Sequence, residues 1–252
     1  MRNTLFEIPV EALSKNDILE KIKNYTKSPR DFFHIVSLNP ENIIMSEKTP
    51  EFKEVLQTAQ IKIIDGVGMI LAGMLLQTPI GYRITGVDLM EEILDIAHKG
   101  SSRVVLIGGG PKVADEVIRC QSVRVPNILW VGIEGIKNIR RPTREEEQKI
   151  FTIVADFKPH FLFAAFGSPY QELWLYQHRE KLQGIVCMGV GGAFDYLAEK
   201  VPRAPRFMQM IGFEWLFRLV HQPWRMRRQL RLFSFVWLVF KELFKILSRV
   251  RK

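Results

Sequence analysis

The sequence predicts an α/β fold with a largely parallel sheet and flanking helices, followed by a basic, amphipathic helical appendage at the C-terminus. Three observations lead there. Short β-branched or aromatic runs alternate with helical patterns along residues 1–202. One run, His160–Gly167, is apolar nearly throughout, as in a strand covered by helices on both faces. Several runs end in glycine or turn-forming residues. In chain order, strands are expected at Phe32–Asn39, Ile61–Asp65, Arg103–Gly108, Asn127–Gly132, His160–Gly167 and Gly184–Gly191. Helices are expected near Pro50–Gln60, Gly66–Leu76, Gly86–His98, Lys112–Cys120, Thr143–Phe157 and Tyr170–Lys181.

At 252 residues the chain is long enough for a sizeable core in one or two domains. Its 47% hydrophobic and 25% charged residues exclude wholesale disorder, collagen-like repetition and a polytopic membrane protein. Cys120 and Cys187 are too few for a disulfide framework or a four-thiolate zinc site. The N-terminal stretch is charged throughout, without the apolar segment of a secretory signal, so a reducing, cytoplasmic setting is expected. His34, His98, His160, His178 and His221 show no metal-ligand spacing, and no D-x-D pair stands ready to hold a divalent cation on a diphosphate. A site with no metal and no cofactor follows as the expectation.

The net charge of +9 points to an anionic partner, and its distribution narrows the choice. Residues 203–252 carry twelve Lys or Arg against Glu214 and Glu242, whereas residues 1–202 carry 24 bases against 25 acids. A near-neutral body therefore bears a strongly basic appendage. The longest nearly apolar run in it, Leu232–Phe240, is nine residues, far short of the ~20 that span a bilayer. On a helix, Arg227, Arg231, Ser234, Lys241 and Lys245 form one stripe, while Leu232, Phe235, Val236, Val239, Phe240, Leu243, Phe244 and Leu247 fill the other side. That pattern fits a helix lying in an anionic membrane interface. The competing reading is a helix packed on the body or in an oligomer interface. Nucleic acid is disfavoured, because interleaved Leu, Phe and Val would neutralise no phosphate.

In open parallel sheets, ligands sit beyond the C-terminal strand ends, which directs attention to the polar residues there. Ser37 and Asn39 follow the first long strand, and Asp65-Gly66 follows the second. Asp65 can act as a general base or simply turn the chain and cap a helix. Arg83, in YRITGVD, can clamp a diphosphate or pair with Asp88. Gly108-Gly109-Gly110 can cradle phosphate or form a tight turn; the dinucleotide fingerprint would need glycine where Val113 stands. Ser168 or Pro169 starts a helix that places Gln171 in its first turn, facing the strand ends. Gly189 through Gly192 precede Asp195 at the last strand exit.

These segments in order resemble the WecG/TagA/CpsF family of bacterial glycosyltransferases. The resemblance lies in SLNPENI (Ser37–Ile43), DGVGMI (Asp65–Ile70), RITGVDLM (Arg83–Met90), LIGGGP (Leu106–Pro111), FGSPYQELW (Phe166–Trp174), GVGGAFDYLAEKVPRAP (Gly189–Pro205) and EWLFRL with QPWRMRR (Glu214–Arg228). It implies a Rossmann-like catalytic domain over residues 1–202. It also implies inverting, metal-independent transfer of an N-acetylmannosamine-type sugar from a UDP donor to N-acetylglucosamine on undecaprenyl diphosphate, as in wall teichoic acid or related polysaccharide synthesis. By motif, Asp65 is the implied general base, with Arg83 and Gln171 as further catalytic contacts. Ser37, Asn39, Gly108, Gly109, Gly110, Gly191 and Asp195 are the implied substrate-binding positions, joined by Arg218, Arg225 and Arg228, which would reach over the site to the diphosphate. The implied location is peripheral, on the inner face of the cell membrane, and a homo-oligomer is left open. Two positions depart from the family pattern: Ser37 stands where threonine is more frequent, and Glu199 where glycine is frequent. The rival readings are a nicotinamide-dependent oxidoreductase, suggested by the triple glycine, and a non-enzymatic membrane-surface scaffold.

Overall fold

The computed structural model describes residues 3–210, 212–221 and 226–250. Arg225 and the side chains of Arg218 and Arg228 lie outside the described residues. A small hairpin, β1 (Thr4–Leu5) and β2 (Ile8–Pro9), precedes α1 (Lys15–Lys27). There follow β3 (Phe33–Leu38), α2 (Pro40–Ser46), α3 (Pro50–Thr58), β4 (Ile61–Ile64), α4 (Val67–Leu75) and α5 (Gly86–Lys99). Next come β5 (Arg103–Gly108), α6 (Val113–Gln121), β6 (Leu129–Ile133), α7 (Arg144–Phe157), β7 (Phe161–Ala165) and α8 (Tyr170–Gln177). A short 3-10 turn at Arg179–Leu182 leads to β8 (Val186–Gly189) and α9 (Ala193–Leu197). The appendage forms α10 (Arg206–Met210), α11 (Glu214–His221) and α12 (Met226–Val250).

All six expected strands form one parallel sheet in the order β4-β3-β8-β7-β5-β6. From β3 the chain crosses to one edge at β4, and from β5 to the other at β6, leaving β7 and β8 to fill the centre. Connections that diverge in this way open a crevice at the C-terminal strand ends. β3, β5, β7 and β8 are buried almost throughout, as expected of central strands with helices on both faces. Ile35, Ile63, Leu106, Phe161, Phe163 and Met188 pack into one core cluster with Leu89, Ile93 and Leu94 of α5. On the other face, Val36, Leu38 and Ile64 meet Ile43 of α2 and Phe52 of α3.

The helix expected over Tyr170–Lys181 is divided, because α8 ends at Gln177 and the 3-10 turn continues from there. Among the described residues before the appendage, three helices fall outside the expected set: α1, α2 and the five-residue α9. Ile18 and Ile22 are the buried residues of α1, so its apolar face is too narrow to stand out, although Ser14 and Asp17 form a reciprocal capping box. α2 starts with Pro40 directly after an Asn39 cap, a readable start signal masked by the apolar strand before it.

One side of α12 packs on the body, as the second reading of the appendage expects. Phe235, Leu238 and Val239 are buried in the second core cluster, where the Phe6 and Phe235 rings meet edge to face at 5.6 Å, and Arg231 pairs with Glu41 of α2. A second apolar stripe, Leu230, Phe233, Trp237, Phe240, Phe244 and Leu247, faces outward, with Phe233, Trp237 and Phe244 each more than 70% exposed. Among the described residues, no helix is long and apolar enough to cross a membrane.

After α9, Glu199 holds φ at 56°, in the left-handed region that favours glycine. Its side chain is exposed, so the conformation brings no packing in return. Glu199→Gly should raise the unfolding free energy by about 1 kcal/mol, read as a higher midpoint in urea.

Candidate active site

The C-terminal strand ends surround a cleft of about 520 Å³. As β3 ends, Asn39 Oδ1 accepts the Asn42 N–H at 2.8 Å and so caps α2, while Asn42 Nδ2 donates to the Ser37 carbonyl at 2.8 Å. The Asp65 N–H donates to the Leu38 carbonyl at 2.9 Å, which fixes Asp65 beside that exit. Gly66, at φ 101°, then turns the chain into α4. The Ile84 N–H donates to the Ile64 carbonyl at 3.0 Å, laying Arg83–Gly86 along the end of β4.

This placement determines the electrostatics of Asp65. Burial pushes its carboxyl up to about 6, the nearby Glu214 carboxylate adds to the rise, and a hydrogen bond from the Gly86 N–H with the Arg83 charge opposes it. Asp65 thus titrates close to neutrality, where a carboxylate is both available and basic enough to take a proton. The alternative pairing of Arg83 with Asp88 is not what forms. Arg83 Nη2 donates to the Gln209 carbonyl of α10 at 2.7 Å, whereas Asp88 accepts Thr85 Oγ1 at 2.7 Å and pairs with Arg203. Arg83 thereby ties the edge of the sheet to the start of the appendage.

Across the cleft, Gln171 is almost fully buried and uses its whole carboxamide internally. Oε1 accepts the Gly167 and Gly191 N–H groups, each at 3.0 Å, and Nε2 donates to Glu172 Oε1 at 2.8 Å and Ser168 Oγ at 3.4 Å. The exits of β7 and β8 are joined through this one side chain. A Cβ on Gly189 would stand 2.7 Å from Gln171 Nε2, so glycine is required there for the carboxamide to fit. Ser168 does not cap α8; Pro169 takes that position, and Ser168 Oγ donates to Glu172 Oε1 at 2.8 Å. Burial raises the Glu172 carboxyl above the ordinary range, against the hydrogen bonds from Gln171 and Ser168.

The glycine loop contributes less surface than its composition suggests. Gly108, Gly109 and Gly110 all have positive φ, and a Cβ on Gly108 would meet the Ala165 carbonyl at 2.9 Å. Of the three, only Gly109 lines the cleft. Ser37, Asn39, Asp65, Arg83, Gln171, Gly191 and Asp195 line it together; Gly108 and Gly110 do not. Arg225 lies outside the described residues, as do the side chains of Arg218 and Arg228.

Glu172, Glu214, Trp215 and Arg203 were not singled out from the sequence. Glu172 and Glu214 are isolated acids, one in an otherwise uncharged helix start and one in the basic appendage, and that isolation was the available signal. Arg203 faces Asp88, Glu91 and Glu214, three carboxylates contributed by α5 and α11. Among the described residues, no group of three or more His, Cys, Asp or Glu could hold a metal ion.

Removing the Gln171 carboxamide leaves the Gly167 and Gly191 N–H groups without their acceptor. Gln171→Ala should therefore lower the unfolding free energy by about 2 kcal/mol, measured by urea denaturation. An unchanged midpoint would show that the two exits hold together without it.

A model described as the glycosyl transferase WecG/TagA/CpsF family matches residues 3–249. A protein of Staphylococcus aureus (strain NCTC 8325 / PS 47), named N-acetylglucosaminyldiphosphoundecaprenol N-acetyl-beta-D-mannosaminyltransferase, is 30% identical over 203 residues, covering 80% of this chain and 77% of its own length. A protein of Bacillus subtilis (strain 168) with the same name is 28% identical over 240 residues, covering 95% of this chain and 91% of its own length. With a parallel α/β sheet and a family match along nearly its whole length, the chain belongs to the WecG/TagA/CpsF family of glycosyltransferases.

Proposed function

We propose that the protein transfers an N-acetylmannosamine-type sugar from a UDP donor to N-acetylglucosamine carried on undecaprenyl diphosphate, with inversion and without a metal. The product would serve a cell-surface polymer such as wall teichoic acid. The acceptor and sugar follow from the names of the relatives, and the observation that carries the chemistry is Asp65, raised to about 6 on the cleft wall. Asp65 takes the proton of the acceptor hydroxyl as that oxygen attacks the anomeric carbon. The bond to the diphosphate breaks on the opposite face, and UDP leaves with the electron pair. Arg218, Arg225 and Arg228, with N–H groups at the strand exits, are assigned to the charge that develops on the departing UDP, where fixed donors are most effective. Ser37, Asn39, Gly109, Gly191 and Asp195 are assigned to substrate contacts, and Arg83 to the diphosphate. Gln171 is a positioning residue, because its hydrogen-bonding capacity is spent on the two loops.

The catalytic work is assigned to residues 1–202, with the appendage completing the site and meeting the membrane. The outward stripe of α12 is flanked by Lys241 and Lys245, the arrangement expected of a helix resting on an anionic bilayer from the cytoplasmic side. The family match gives no support to the nicotinamide or scaffold readings.

Asp65→Asn should lower kcat by roughly 10²–10⁴-fold while leaving UDP binding within a few-fold of the parent. Normal turnover in that variant would remove Asp65 from the role of base. Because a base must be ionised to act, kcat/KM in the parent should be level above about pH 6 and fall about tenfold per unit below it. At the membrane, Trp237→Glu with Phe244→Glu should abolish sedimentation with phosphatidylglycerol vesicles without lowering the melting temperature, since both side chains face outward.

A further inference from the structure

A second, apolar cavity of about 710 Å³ opens beside the cleft, between α4 and α12. Its walls include Leu71 and Leu75 on one side and Leu232, Val236 and Phe240 on the other. Asp65, Gly66, Gly212 and Trp215 line both spaces, so groove and cleft meet at the general base. Glu41, which also lines both, is ion-paired with Arg231 of α12. α4 reads VGMILAGML, without a polar side chain, yet Leu71, Met74 and Leu75 are all more than 50% exposed. Apolar surface of that extent, joined to the outward stripe of α12, marks a place where something apolar docks.

We propose that this groove receives the first isoprene units of the polyprenyl chain of the acceptor, a reading that rests on the acceptor named above. Continuity selects the occupant. A molecule with a sugar-diphosphate head and a hydrocarbon tail needs a polar space opening directly into an apolar one, and the two join here at the residue that must meet the acceptor hydroxyl. Farther along, Val236 and Phe240 pass into the stripe assigned to the bilayer, so the tail has an apolar path from the cleft to the membrane. The groove thus acts as a determinant of acceptor specificity, distinguishing prenyl-linked from free sugar diphosphates.

The test uses soluble acceptors, so that partition into a bilayer contributes nothing. N-acetylglucosamine diphosphate is supplied with a farnesyl or a methyl group, below the micelle concentration, without vesicles or detergent. In the parent, the farnesyl acceptor should have a KM lower by roughly tenfold or more. In Leu71→Ser with Val236→Ser that advantage should shrink to a few-fold, while the KM for the UDP donor is unmoved. Both side chains are about half exposed, so the double variant should keep the parent melting temperature. Equal KM values for the two acceptors in the parent would overturn the proposal, as would an undiminished farnesyl advantage in the double variant. A change confined to self-association in sedimentation velocity would likewise overturn it, in favour of a second copy of this chain as occupant. If neither acceptor is glycosylated, the transferase assignment fails, and calorimetric titration with farnesyl diphosphate decides the groove separately: tight binding lost in the double variant supports it, and absence of binding rejects it.

Discussion

The cleft depends on one buried carboxamide. Parallel strands bring their C-terminal ends to one side of the sheet but do not fix the loops that leave them, and at β7 and β8 that task falls to Gln171. Its oxygen holds one backbone N–H from each exit, while its nitrogen is steadied by Glu172 and Ser168. The absence of a side chain at Gly189 belongs to the same constraint, because any Cβ would occupy the space of the carboxamide. The Gln171 amide spends both its oxygen and its nitrogen in this way, whereas Glu172 Oε2, buried in the same network, has no hydrogen-bond partner.

On the opposite wall the constraint is electrostatic. Asp65 is partly buried on the cleft wall with the Glu214 carboxylate of α11 near it, so its charged form is disfavoured, while the Gly86 N–H and Arg83 prevent the shift from going further. The appendage is therefore part of the electrostatic setting of Asp65 as well as a neighbour in space. Arg203 reinforces the connection by facing Asp88, Glu91 and Glu214 together, so that α5 and the start of the appendage share one cation.

The four central strands could be read from the sequence because burial on both faces produces apolar runs that local patterning reveals, and the edge strands β4 and β6 through their short β-branched or aromatic runs. Strand-exit residues were legible for the same reason: once the strands are placed, topology nominates Ser37, Asn39, Asp65, Gln171 and Gly191, and all of them line the cleft. What stayed hidden depends on side-chain partners distant in sequence. Nothing local distinguishes Gly109, which lines the cleft, from Gly108, which packs against Ala165 and Phe166. Nor could spacing show that Asp88 would be taken by Arg203, 115 residues away, leaving Arg83 to the Gln209 carbonyl. The periodicity of α12 likewise shows a wide apolar surface but cannot say which part the body covers.

The two apolar stripes of α12 have a geometric consequence. One is fixed to α2 and α4, and the other points outward from the same 25-residue rod, about 37 Å long. A rod clamped along one side cannot change its tilt independently of the body. If its free side rests on a bilayer, the mouth of the cleft is held at a set height and angle above the lipid headgroups. Meeting a lipid-borne partner then becomes a lateral search in two dimensions, in which every encounter presents the same face of the enzyme.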